Sequence, residues 1–452
     1  MIDRIKVWSQ PLLCGIKNRI SYIRYCSSHS LLFVLQALSV LIFWYGIIAL
    51  VIDLVQGSFS LTNLIITLAS LAVQVIMEFL AWRERQDSKY VDSRKIDGYY
   101  SGIEPPGAGW TRKIVHIVID GRVTETGGIY ADPKVDRMLR SGAGLPVMKR
   151  DTQYEKFLRR RIRQGGGGFA RLHYPFLRYN LRLSQFFGRQ FNNERKWGLS
   201  DELSESTDAV MVHKTCYYDS YLTNITPGKK LITTRRGEEV CSMDQPEYAP
   251  FVTDSSGKKT LRRTGDIHVA NEPGVTTLWL LNNDSIPLWQ QSNQAQSNRG
   301  QVVASGSGSA DWADCKSFIG KADGFRKAVT LGMERELYEE SVGKRAIGKS
   351  EFFDQTKTII TGYFRWLEKG GKAEFVGVSL SSMRHIDEIV APEESEVSRK
   401  ARPIPAPTVY GLKENLRELV HPAAAKERDK YRLPDGDDQY VSNGCSISSK
   451  CN

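Results

Sequence analysis

The chain has 452 residues, 41% of them hydrophobic, which excludes an unfolded polymer and leaves room for two or three folded units. Its net charge of +11 and pI near 9.2 suit an anionic membrane surface, a nucleic acid or a nucleotide phosphate, without choosing among them. Seven cysteines, an odd number with no CxxC pair and no Cys/His cluster at zinc spacing, fit a reducing compartment.

Residues 1–29 read as a basic cytoplasmic arm carrying Arg4, Lys6, Lys17, Arg19 and Arg24, with Trp8, Tyr22 and Tyr25 as interfacial anchors. From Leu31 to Ile52 no charged residue appears over about 22 positions, enough at about 1.5 Å per residue to cross a hydrocarbon core of about 30 Å. A secretory signal would have a shorter run and a small-residue cleavage site, and a buried helix of a soluble protein would show a polar stripe. A second run, Leu61 to Trp82, includes Thr62, Asn63, Thr67 and Gln74, with Glu78 near its end. The link between them holds Gly57 for a turn and no Lys or Arg, whereas Arg83, Arg85, Lys89, Arg94 and Lys95 follow the second run. Residues 30–85 are therefore expected to form a hairpin of two transmembrane helices with both chain ends cytoplasmic. Asn63 and Gln74 are candidates to face partner helices or a pore, and Glu78 to snorkel at the interface.

Residues 86–205 read as a charged, basic connecting region. Lys113 to Val123 alternates and is β-branched, so a strand is expected there. Between Lys156 and Trp197, Arg159, Arg160, Arg161, Arg163, Arg171, Arg178, Arg182, Arg189, Arg195 and Lys196 are interleaved with Phe, Tyr and Leu. Such a segment suits phosphate and base contacts or, closer to a span, anionic lipid. The Gly165 to Gly168 run lacks the Lys-Ser/Thr of a phosphate loop and reads as a hinge.

From about 206 to 395 short β-rich runs alternate with turn residues and flank one strongly helical segment, Ala322 to Gly343, which predicts an α+β domain. Two strands around Lys357–Glu368 and Lys372–Ser382 are joined by the paired Gly370 and Gly371 of a hairpin. Residues 396–452 form a Pro-rich, polar tail with one short helix near Leu412–Val420.

Within the helix, RELYEE puts Glu336, Glu339 and Glu340 at i, i+3 and i+4, so the three carboxylates share a face. Gathered acids repel, and hard oxygen ligands suit Mg²⁺ or Mn²⁺; Arg335 can pair with Glu339. The bland alternative is a solvated acidic face.

These residues resemble the second half of the Nudix box, G-x5-E-x7-R-E-U-x-E-E-x-G-U: Arg335, Glu336, Leu337, Glu339 and Glu340 match. The box Gly falls on Lys321, its first Glu on Lys327 and its late Gly on Val342. With two apolar runs ahead of such a domain, the chain resembles the 2TM-NUDIX effectors of bacterial cyclic-oligonucleotide anti-phage signalling (CBASS). The resemblance implies a Nudix-like cytoplasmic domain that binds a cyclic oligonucleotide supplied by a cognate synthase. Ligand binding would then rearrange an oligomer of hairpins and disrupt the bacterial inner membrane in abortive infection, with lipid and a second copy as partners and no DNA. It implies sensing rather than hydrolysis, because Lys327 stands where a carboxylate belongs. Candidate ligand residues are Arg326, Lys327, Arg335 and Trp312, with Trp279, Trp289 and Tyr363 as further stacking rings and Arg299 and Lys316 as further phosphate contacts. If the box is active, Glu336, Glu339 and Glu340 hold the metal and the chain is a membrane-tethered pyrophosphohydrolase of nucleoside diphosphate derivatives. A membrane scaffold with a degenerate domain is the third reading.

Overall fold

The computed structural model describes residues 2–381 apart from short interruptions, the longest at 292–300, together with strands at 398–400, 404–405 and 440–441. Arg299, the side chains of Gln74 and Glu78, and the helix expected near Leu412–Val420 lie outside the described residues. Two compact units emerge: Met1–Asp97 with Arg160–Leu183 and Gly228–Met243, and Gly98–Arg159 with Ser184–Pro227 and Asp244–Asn452.

These units divide the chain differently from the stretches expected at 86–205 and 206–395. Val91–Lys95 pairs with Lys229–Thr233, which pairs in turn with Glu239–Ser242, so distant segments close one small sheet of the first unit. In the second unit Ala209–Cys216 runs between Val147–Arg150 and Arg195–Leu199. Composition marks where charge changes, whereas the units follow the hydrogen-bond register between remote strands.

The first unit is led by three helices, α1 (Ile2–His29), α2 (Leu31–Val55) and α3 (Leu61–Ser88). Leu38–Val55 is the one stretch among the described residues long and apolar enough to cross a membrane, and only 6% of it is buried, unlike a core helix of a soluble protein. In α3 the apolar stretch is the shorter Leu61–Val73. The polar residues of α3 are used locally and against α2. Asn63 Nδ2 donates to Asp53 Oδ2 at 2.9 Å, and Thr67 Oγ1 donates to the Asn63 carbonyl at 2.8 Å. Gly46 lets the two helices approach, since a Cβ there would lie 2.2 Å from Thr67 Oγ1.

The arginine-rich stretch folds as helices Thr152–Gln164, Phe169–Leu172 and Tyr174–Phe187. Gly166, Gly167 and Gly168 take φ of 60°, 90° and 106°, so the glycine run is a turn that side chains with a Cβ would strain. Tyr22 and Tyr25 are buried against Tyr174 and Phe169 rather than standing as interfacial anchors, because the aromatic faces of these helices take them in.

The second unit is built on a mixed sheet of β1 (Thr111–Lys113), β2 (Ile129–Ala131), β3 (Gly274–Leu281), β4 (Gly306–Ser309), β5 (Thr356–Trp366) and β6 (Lys372–Ser381). Their order is β1-β2-β5-β6-β3, with β4 also on β3 and the short strands Ser285–Ile286 and Ile404–Pro405 beyond it. β3 and β6 run parallel, Gly274 opposite Glu374 through Leu281 opposite Ser381, whereas β5 and β6 form the expected hairpin, turning at Gly370 and Gly371 (φ 66° and 71°). The segment read as one strand over Lys113–Val123 is instead β1 followed by a hairpin of His116–Ile119 and Arg122–Glu125. The run after Ala209 is a strand to Cys216, and its Tyr-rich continuation is helical over Tyr217–Ile225.

Helices α4 (Pro133–Ser141) and α5 (Gly324–Leu337) pack on this sheet. Phe325, Ala328, Val329 and Met333 recur at helical spacing and meet Val135, Trp197, Tyr363 and Phe375 in one core. The helical segment expected near Ala322–Gly343 is α5 with one π turn, Tyr338–Val342.

Candidate functional site

The Gly/Ser stretch before α5 is strand β4, and its glycines set how closely α5 can lie on it. A Cβ on Gly306 would come 2.6 Å from the Leu337 backbone, and one on Gly308 would come 2.2 Å from Glu336 Cδ. The absence of those side chains brings the RELYEE segment under the sheet edge, where Arg335, Glu336 and Glu340 are buried.

Arg335 is the hub. Its guanidinium reaches Asp314 at 3.1 Å, Glu336 at 2.9 Å, Glu339 at 3.1 Å and Asp311 at 3.7 Å, and donates from Nη2 to the Ser309 carbonyl at 3.0 Å. Asp311 and Asp314 are held in place by a capping box at Trp312–Cys315, in which each side chain accepts from the other's end of the turn. Lys196, also buried, completes the cluster with contacts to Asp311 at 2.6 Å and Glu194 at 2.9 Å. Burial alone would pull the Arg335 and Lys196 cations down, but the carboxylates around them more than reverse this and hold both protonated. Burial raises the Glu336 carboxyl, and Arg335 and Lys196 only partly offset that.

Of the three carboxylates expected to hold Mg²⁺ or Mn²⁺, Glu336 Oε1 and Glu339 Oε2 both point at Arg335 Nη1, Glu339 also pairs with Lys349 at 3.2 Å, and Glu340 Oε2 accepts the Ser307 N–H at 2.7 Å. Arg335 Nη1 thus stands where a cation bridging Glu336 and Glu339 would sit. Among the described residues no group of three His, Cys, Asp or Glu side chains is arranged to hold a metal ion. The carboxylates as placed do not fit a divalent cation.

A second polar group, at the start of β3 and β6, was not expected from the sequence. Glu272 Oε1 accepts from Ser309 Oγ at 2.7 Å and lies 3.4 Å from Lys372 Nζ, while its Oε2 is buried with no hydrogen-bond partner among the described residues. Lys372 and Lys369 also reach Glu374, at 4.0 Å and 3.3 Å, and Gly274 makes room for that carboxylate. The signal available in the sequence was the glycine alternation of β4 and the Gly274 that opens β3.

The candidate ligand residues separate. Trp279, Trp289 and Tyr363 are fully buried core rings; Trp289 Nε1 donates to Ser341 Oγ at 2.6 Å and the Tyr363 hydroxyl to Glu202 at 3.0 Å. Arg326 and Lys327 are exposed on the first turns of α5, with Arg326 Nε paired to Asp323 at 2.9 Å, and nine residues of helix place Lys327 about 13 Å along the axis from Glu336. Lys316 is exposed. Trp312 alone of the four rings is half-buried, and the cations of Arg150 and Lys214 stand 5.2 Å and 6.0 Å from its centroid. Arg150 is held there by a two-point pair with Glu155, at 2.9 Å and 3.1 Å, and Glu155 also accepts the Lys214 N–H at 3.0 Å. Arg150 and Lys214 were missed because strands remote in sequence bring them to the helix; Lys196 stood in the basic run, but its place beside Asp311 follows from the same strand pairing.

No protein-family model matches the chain, and no curated protein matches it significantly.

Proposed function

We propose that the chain is a membrane-anchored receptor in which the second unit binds a cyclic oligonucleotide and α2 and α3 transmit binding to the bilayer as a pair of spans with both chain ends cytoplasmic. The observation that carries the receptor reading is the Arg335 clamp: the carboxylates of the RELYEE segment already have internal partners, an arrangement suited to a rigid binding scaffold rather than to metal-assisted hydrolysis. Trp312, with Arg150 and Lys214 beside it, offers a ring for a base and cations for phosphate. The pairing of α2 and α3 through Gly46–Thr67 and Asp53–Asn63, and the cationic flanks on both sides of the pair, support two spans. In this reading the ligand shifts an oligomer between two arrangements of these helices, which requires it to bind one arrangement more tightly than the other. By the resemblance to 2TM-NUDIX effectors, the scheme we propose also includes an upstream synthase and the bacterial inner membrane.

The test is calorimetric titration of the full chain in nanodiscs with a panel of cyclic di- and trinucleotides, with product analysis of the same samples. Saturable binding with the nucleotide recovered intact is expected, followed by ligand-dependent dye release from liposomes. Absence of binding, with Mg²⁺-dependent cleavage of linear nucleoside diphosphate derivatives, overturns the proposal in favour of the hydrolase.

A further inference from the structure

α1 has two unlike faces. Tyr22, Tyr25 and Cys26 face into the first unit, where Tyr22 lies 6.2 Å from Tyr174 and Tyr25 6.0 Å from Phe169, ring to ring. Arg163 Nη2 fastens the end of the helix by donating to the Ser28 carbonyl at 2.6 Å. Away from that face, Ile16, Ile20 and Ile23 follow the i, i+4, i+7 spacing of one helical stripe. They are 46%, 60% and 53% exposed. Lys17 and Arg24 border the stripe on one side and Arg19 on the other, and all three are exposed.

Three branched apolar side chains in a row between cations match the chemistry of an anionic bilayer surface, with an apolar boundary below and phosphates beside it. The position in the chain selects lipid over a protein partner. α1 ends at His29 and α2 begins at Leu31, so the stripe comes just before the stretch that is long and apolar enough to cross a membrane. Ser30 between them is extended, with φ −141° and ψ 127°, so the chain changes direction there rather than continuing one straight helix. A helix lying on a surface and then turning into the bilayer needs such a break.

We infer that the Ile16–Ile20–Ile23 face of α1 docks on anionic lipid, the isoleucines at the headgroup boundary and Lys17, Arg19 and Arg24 on lipid phosphates. Tyr22 and Tyr25 then serve the opposite purpose, fastening α1 to the rest of the first unit. The inference rests on the reading of α2 as a span, and its test separates the two.

The full chain carrying a benzophenone amino acid in place of Ile20, and in a second version Ile23, is reconstituted into nanodiscs of phosphatidylglycerol with phosphatidylcholine or of phosphatidylcholine alone. It is then irradiated and analysed by mass spectrometry. A lipid adduct at the labelled position is expected, at least about threefold more abundant in the anionic discs. Lys17→Gln, Arg19→Gln and Arg24→Gln together are expected to lower the yield to that of the neutral discs. Cross-linking to a second copy, or no lipid adduct in a chain that still co-elutes with the discs, overturns the docking and leaves the span standing. A chain that does not co-elute with discs overturns the span and the inference with it.

Discussion

Glu334→Gln should stabilise the second unit at pH 8 and change it little at pH 4.5. Glu334 lies on α5 beside β5, where burial lifts its carboxyl from 4.5 to about 7 against the opposing hydrogen bonds from the Thr358 hydroxyl and backbone N–H. Thr358 Oγ1 is 2.7 Å from Ser379 Oγ, which is 2.8 Å from Thr277 Oγ1. A hydroxyl donated to Glu334 therefore leaves Thr358 accepting from Ser379 and Ser379 from Thr277, one directional chain through the centre of the sheet. A glutamine keeps an acceptor oxygen at its end without the charge. The sign follows from the raised folded value. Below about pH 4 the group is protonated in both states and costs nothing. Between 4.5 and 7 the unfolded chain ionises while the folded one resists, so stability is lost as pH rises, reaching about 3 kcal/mol above pH 7. The side chain is partly exposed, which reduces the expected cost to about 2 kcal/mol. Removing it should raise Tm by about 4–8 °C at pH 8 and by under about 2 °C at pH 4.5. Tryptophan fluorescence is the assay, because Trp110, Trp197, Trp279, Trp289, Trp312 and Trp366 all belong to the second unit. An equal gain at both pH values, or a loss at pH 8, would refute the assignment.

Arg335→Met leaves Asp311, Asp314, Glu336 and Glu339 without their common cation and is expected to cost about 3–5 kcal/mol in thermal melts at pH 7.5. The deficit should shrink as pH falls and Glu336, whose carboxyl burial already raises, takes up a proton, and Arg335→Lys, lacking the fork, should recover stability only in part. Gly308→Ala places a Cβ 2.2 Å from Glu336 Cδ and should cost about 1–3 kcal/mol by forcing β4 off α5, read as a lower denaturation midpoint. Trp312→Leu should weaken cyclic-dinucleotide binding by about tenfold in calorimetry, while Lys327→Gln at the exposed start of α5 leaves it unchanged; equal effects would place the ligand elsewhere.

The sequence by itself determined features that depend on neighbours along the chain. The uncharged run of α2 fixed its span-like length, the i, i+3 and i+4 apolar spacing fixed α5, and Gly370–Gly371 fixed the β5–β6 hairpin. It also put Glu336, Glu339 and Glu340 on one helical segment, since that follows from helix geometry alone. It gave no access to what those carboxylates meet. Lys196 reaches Asp311 across 115 residues and Lys372 reaches Glu272 across 100, and both contacts exist because strands of remote segments pair in one register. Non-local strand pairing also set the unit boundaries apart from the changes in composition, and helix packing turned Tyr22 and Tyr25 inward, leaving the isoleucines of α1 outside. A helical period says which side chains share a face. Which face is covered, and whether a carboxylate finds an arginine or open solvent, was decided by tertiary packing, because that depends on the surfaces brought to it from elsewhere in the chain.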